Sequence, residues 1–331
     1  MSSVNFLHLT KDGGVDWDQQ KRSQAKQDLA ANIELAGRRR LEAGAERFQP
    51  TRALAAAINA ALASRSPLLL TGAPGTGKTQ TAYFLAKYFD LAAPHHFQVR
   101  SDSSARDLRY DFDAVAYLQD AYAKDSAIAA PPAGCEDPRS NDRYLTKGKL
   151  WQAFEHQDEC VLLIDEIDKA PRDFPNDLLQ ELSEARFAHP FEAWEVKNQG
   201  PPPMVIITSN DERRLPDPFL RRCICCHIEL DDQLLIRILN AWDSAFAPQL
   251  KAGVRDAALP LFQTIRERLH GPGREPGVAE LLVWLNVLAV QQIAAPALAV
   301  EDLAELPGIA CLIKEQEDLA RLGTRPGQAP D

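Results

Sequence analysis

Residues 67–88, PLLLTGAPGTGKTQTAYFLAKY, constrain the fold more than any other stretch of this 331-residue chain. A short apolar run over 67–71 leads into GAPGTGKT, and a helical pattern follows over 79–88. The octet matches G-x-x-x-x-G-K-[ST] in full and sits between a strand and a helix, the context this signature requires. Its glycines let the backbone turn tightly enough for successive N–H groups to point at phosphate oxygens. The helix that opens at the end of the loop adds unpaired donors and the positive end of its dipole. Lys78 is then placed to reach the β- and γ-phosphates of a nucleoside triphosphate, and the Thr79 hydroxyl suits Mg²⁺. The expected ligand is ATP with Mg²⁺, contacted by Gly72, Pro74, Gly75, Thr76, Gly77, Lys78, Thr79 and Gln80.

Strands alternate with helices along most of the remaining chain. Leu54, Ala55, Ile58, Ala61 and Leu62 form a helical stripe that ends near Ser64. Strand patterns follow over 97–100, 160–164, 204–208 and 223–230, with helical patterns over 112–123, 149–156 and 173–185. The segment 130–142, rich in proline and glycine, reads as an exposed insertion, and 187–197 alternates like a hairpin. Such an order predicts a parallel sheet covered by helices on both faces. From Asp231 onward the pattern is helical throughout, broken over 271–277 and near Pro296 and Pro307. The expected organisation is a polar helical arm over 1–48, an α/β nucleotide-binding core over 49–230 with an insertion near 106–150, and a small all-α lid and tail over 231–331.

The run VLLIDEID places Asp165 and Glu166 just past an apolar strand. Ligands of open α/β sheets sit at the carboxyl ends of the strands. If this strand neighbours the one before Gly72, both carboxylates lie close to the phosphates. Asp165 then suits the Mg²⁺ shell, directly or through water, and Glu166 suits a general base acting on the attacking water.

Bulk properties weigh against other classes. A net charge of −10 with no long basic run is the wrong sign for coating duplex DNA. Apolar content of 45% and charged content of 25% are those of an ordinary globular chain. The first residues are too polar for a secretory signal, and the apolar stretch 281–290 is too short to cross a bilayer. These features predict a cytoplasmic protein without membrane insertion, its six cysteines reduced. In CICCH, Cys223 and Cys225 face opposite to Cys226 on a strand and cannot converge on one ion. His95 and His96 fall in a loop before a strand, with no evident partner.

Taken together, these residues resemble the AAA+ ATPases, a P-loop NTPase family, and within them the MoxR-like branch, over about residues 51–285. GAPGTGKT is similar to the family's Walker A motif and LLIDEIDKAPRDFPNDLLQEL to its Walker B strand and following helix. MVIITSN ends in Asn210, at the sensor 1 position that orients the lytic water. LPDPFLRRC resembles the segment bearing the arginine finger, a residue that completes the site of a neighbouring subunit. Arg221 and Arg222 both qualify, and Arg222, directly before the strand, is favoured. GREPGVAELLVWL resembles the start of the sensor 2 helix, but Val278 stands where an arginine is often found, and Arg274 is the nearest cation.

The resemblance implies a homo-oligomeric ring, of hexameric type, whose ATP hydrolysis remodels a protein client. It also implies a chaperone-like role with a von Willebrand factor A-type partner. The insertion over 106–150 and the hairpin over 187–197 fall where the family carries substrate- or partner-facing elements. Tyr110, Phe112 and Tyr144 are candidates there, with ordinary packing as the alternative. A second reading is an NTP-driven motor subunit for nucleic-acid processing or for a restriction-type nuclease, and a third is a slow, nucleotide-gated scaffold.

Overall fold

The runs LLLT, VLLID and MVIIT carry apolar side chains on both faces, which suits strands sandwiched between helical layers. In the computed structural model they form β1 (Leu68–Thr71), β5 (Val161–Asp165) and β8 (Met204–Thr208). With β2 (His95–Gln98) and β9 (Ile224–His227) they make a five-stranded sheet in the order β2-β5-β8-β1-β9. Every neighbouring pair is parallel. The structure describes residues 44–122, 128–246, 250–271 and 273–323, together with residues 19, 20 and 23. Most of the helical arm expected over 1–48 lies outside the described residues.

The strand order refines one expectation. β5 does not neighbour β1, because β8 lies between them, pairing Leu70 with Thr208 on one side and Ile164 with Ile207 on the other. The tip of β8 therefore stands between the phosphate-loop strand and the acidic strand. β2 also begins two residues earlier than its apolar pattern indicates, at His95.

The chain divides into two compact units. One is of α/β type and comprises Pro50–Ala73 with Lys78–Glu229. It opens with α1 (Arg52–Ser64), whose first turn is capped by Thr51 Oγ1 accepting from the Leu54 N–H at 3.0 Å. α2 (Lys78–Tyr88) follows the phosphate loop. The core combines Leu69, Leu162, Ile164 and Ile207 of the sheet with Trp151 and Phe154 of α5 (Lys149–Glu155) and Phe174 of α6 (Phe174–Glu184). A buried aromatic of this kind is worth about 3–5 kcal/mol against alanine.

The insertion has its own local order. After α3 (Ala105–Arg109), β3 (Tyr110–Phe112) pairs antiparallel with β4 (Leu145–Lys147), and α4 (Ala114–Tyr122) leaves β3. The expected hairpin is present as β6 (Arg186–Ala188) and β7 (Glu195–Lys197). Insertion and hairpin are pinned to each other. Glu192 Oε1 accepts from the backbone N–H groups of Glu136 and Asp137 and from Ser140 Oγ at 2.8–3.0 Å. Phe191 lies 4.8 Å from the Phe112 ring and 6.3 Å from the Tyr110 ring. Tyr144 is only 1% exposed and donates its hydroxyl to Asp120, so it is a packing residue. By contrast α4 has no buried residue, and Val115, Leu118 and Tyr122 stand exposed at helical spacing.

The second unit is built on Leu230–Asp331, with the loop tip Pro74–Gly77 grouped in it. Its core joins Leu235 and Leu239 of α8 (Asp232–Phe246), Phe262 and Ile265 of α9 (Val254–Leu269), and Trp284 and Leu288 of α10 (Val278–Val290). The Trp284 indole N–H donates to the Pro307 carbonyl at 2.7 Å, which satisfies its only polar group in a fully buried position. No helix among the described residues is long and apolar enough to cross a membrane.

Candidate nucleotide site at the strand ends

The loop needs glycine at its first position for two separate reasons. Gly72 has φ +134°, and a Cβ there would stand 2.4 Å from the Ile228 carbonyl oxygen of the adjoining strand end. Backbone has no rotamer with which to yield, so β9 would have to shift. We expect Gly72→Ala to cost on the order of 2 kcal/mol and to lower Tm by about 5 °C. Gly134→Ala, at a positive φ with nothing within 4 Å of the new Cβ, should cost only about 1 kcal/mol. Equal melting temperatures for the two variants would refute the steric account.

Lys78 opens α2 and is 5% exposed. Its ammonium donates to the loop's own Gly72 and Ala73 carbonyls at 2.7 and 2.9 Å. Burial pushes its pKa below the usual lysine value, against the pull of Asp165, Asp168, Asp211 and Glu166. Thr79, the next residue, donates its hydroxyl to Asp165 Oδ1 at 2.9 Å. Loop and acidic strand thus meet although a strand separates β1 from β5.

The intervening strand supplies the joint. Thr208, at the tip of β8 and 1% exposed, donates to Asp165 Oδ1 at 2.6 Å and accepts from the Glu166 N–H at 2.8 Å. Burial pushes the Asp165 pKa up, yet hydrogen bonds from His96, Thr208 and Thr79 outweigh it and hold the carboxyl below its usual range. Asp165 is therefore ionised at neutral pH. Its oxygens and the Thr79 hydroxyl are a hard-oxygen donor set, which suits Mg²⁺ shared with phosphate oxygens.

Glu166 sits in the left-handed region, with φ +61°. This strained conformation turns its carboxylate out of the strand line. Oε2 accepts from Gln98 Nε2 and from Lys169 Nζ, each at 2.6 Å, and Oε1 accepts from Asn210 Nδ2 at 3.3 Å. The Asn210 tip is fixed from below. Asp168, 2% exposed, accepts through Oδ2 from the backbone N–H groups of Asn210 and Glu212 at 3.1 and 3.0 Å.

Of the residues singled out from sequence, the structure brings Lys78, Thr79, Asp165, Glu166 and Asn210 to one end of the sheet. Arg221 and Arg222 lie elsewhere, at the end of α7 (Asp217–Leu220), both exposed and without a side-chain bond to this network. Arg274 belongs to the helical unit, where its backbone N–H donates to Asp318. Spacing alone overlooked His96, Gln98, Asp168, Lys169, Thr208 and Tyr83. His96 is no loop residue: it lies in β2, with Nε2 at 3.3 Å from Asp165 Oδ2 and Nδ1 at 3.1 Å from the Tyr83 hydroxyl. No local pattern marks them, since the acidic partners of His96 and Gln98 lie 69 and 68 residues away in the chain.

The family described as AAA domain (dynein-related subfamily) matches residues 67–223. That range runs from β1 to the residue before β9 and contains every member of the hydrogen-bonded network. A solved structure of a candidate ATPase from Cytophaga hutchinsonii ATCC 33406 is 15% identical, with a TM-score of 0.39 over 75% of this chain and 74% of that one. Among curated proteins nothing matches. Residues 67–223 thus form an AAA domain of the dynein-related subfamily, an ATPase domain.

Proposed function

We propose that this ATPase works as a MoxR-like ring motor that couples hydrolysis to the remodelling of a protein client. The observation that carries the reading is the single hydrogen-bonded network joining Thr79, Asp165, Thr208, Glu166 and Asn210. Within it the carboxylates divide their work. Asp165, ionised and tied to Thr79, belongs with that hydroxyl to the Mg²⁺ side. The cation, when bound, offsets charge on the β- and γ-phosphate oxygens. Lys78 leaves its loop carbonyls for those phosphates.

Glu166 is the general base. Gln98 and Lys169 hold its Oε2, and Oε1, with only the longer bond from Asn210, is the oxygen left to accept a proton from water. Asn210, already within reach of Glu166, orients the lytic water. Arg222, with Arg221 as second candidate, completes the site of a neighbouring copy. Arg274 is the candidate cation of the helical lid. The helix α4 and the hairpin tip are the client-facing surfaces, with Val115, Leu118, Tyr122 and Trp194 exposed for the purpose.

A direct test is to hold the Glu166→Gln protein with ATP, weigh the assembly by native mass spectrometry and identify what co-purifies. We expect an ATP-dependent ring carrying a protein client or a von Willebrand factor A-type partner. Capture of a nuclease or of nucleic acid favours the nucleic-acid motor reading instead. A chain that stays monomeric at every ATP concentration sinks the ring.

A further inference from the structure

Both oxygens of Asp165 are tied back to the same helix. Oδ1 accepts from the Thr79 hydroxyl on α2 at 2.9 Å. Oδ2 lies 3.3 Å from His96 Nε2, whose other ring nitrogen is 3.1 Å from the Tyr83 hydroxyl. Tyr83 stands four residues after Thr79, one turn along α2 and on the same face. The four side chains therefore close a circuit: Thr79, Asp165, His96, Tyr83.

Strand register explains how a histidine from β2 comes to serve this carboxylate. β2 pairs with β5 so that His96 is level with Leu163 and Gln98 with Asp165. Residues two apart share a face, so β2 presents one donor for each acidic side chain. Gln98 goes to Glu166 and His96 to Asp165. An ionised carboxylate only accepts, so Nε2 carries the proton, and Nδ1 accepts from the tyrosine. This tautomer is assigned from the network.

We propose that His96, steadied by Tyr83, is the positioning residue that aims Asp165 at the nucleotide-bound divalent cation; the proposal rests on the reading of Asp165 given above. Thr79 and Thr208 both occupy Oδ1, and His96 is the partner that fixes Oδ2. The terminal torsion of a carboxylate is broad and two-fold, so without the imidazole its plane is poorly determined. Outer partners of this kind orient the ligand and set its basicity, and losing one costs about 10–100-fold in metal affinity.

The test titrates MgCl₂ against a fluorescent ATP analogue, with a parallel series in EDTA, on wild type, His96→Leu, His96→Gln, Tyr83→Phe and Asp165→Asn. His96→Leu should raise the Mg²⁺ concentration for half-maximal binding by about 10-fold and leave affinity in EDTA unchanged. His96→Gln, whose amide N–H lies near the position of Nε2, should stay within about threefold of wild type. Tyr83→Phe loses one oxygen and little packing, so it keeps the idea testable if His96→Leu folds poorly, and it should shift the midpoint the same way by less. The proposal is overturned if Asp165→Asn moves the midpoint while His96→Leu and Tyr83→Phe do not. It is overturned equally if His96→Leu weakens binding to the same degree in EDTA, which marks a packing role. If Asp165→Asn itself leaves the midpoint in place, the metal reading of Asp165 fails, and this proposal goes with it.

Discussion

Glu166→Gln should retain nucleotide binding and lose hydrolysis by about two to four orders of magnitude, the usual weight of a general base. The amide is nearly isosteric but cannot take a proton from water. It also changes little else. Glu166 is bonded at its rim by Lys169, and this pair is partly exposed, at 28% and 41% for the two side chains. Exposed pairs of that kind contribute about 0–1 kcal/mol, so the variant should melt within a few degrees of wild type. Pre-steady-state phosphate release and a fluorescent-nucleotide titration separate the two properties. Turnover near the wild-type rate would show that another group accepts the proton, and Asp168 is too enclosed to be that group.

The hydrogen bonds around Glu166 add a qualification. Gln98 and Lys169 hold Oε2 of the proposed base, and Oε1 keeps only the longer bond from Asn210. The positive φ of Glu166 is a locally strained conformation.

Continuous apolar runs made much of this fold readable in advance. β8 occupies the residues that its pattern marks, and the phosphate loop lies between β1 and α2 as its glycines require. What periodicity does not carry is lateral order. Nothing in VLLID or MVIIT says that the second lies between the first and β1, because both runs would satisfy any interior position in the sheet. For the same reason the partners of the two carboxylates were hidden. His96 and Asp165 are 69 residues apart, and Gln98 and Glu166 are 68 apart, so only the register of β2 on β5 brings them together. Of the two readings open for Tyr144, ordinary packing holds, because it is buried and donates its hydroxyl to Asp120.

Arg222→Ala should lower turnover by about three to five orders of magnitude, the contribution of a finger that offsets charge in the transition state. The geometry gives the residue a firm base and a free end. Phe219, fully buried, anchors α7, and the backbone N–H of Arg222 donates to the Phe219 carbonyl at 3.0 Å. The side chains of Arg221 and Arg222 are exposed and make no bond to any described residue, so both stay available to a neighbouring copy. The decisive measurement mixes Arg222→Ala with Lys78→Ala. Each lacks a different half of the composite site, so neither homomeric ring turns over. In rings assembled at random from equal amounts, about one interface in four pairs an intact loop with an intact finger, and turnover should recover towards that fraction. Intact mixed rings with no recovery would mean that Arg222 acts within its own subunit or not at all. The same experiment with Arg221→Ala then decides whether the neighbouring arginine holds the role.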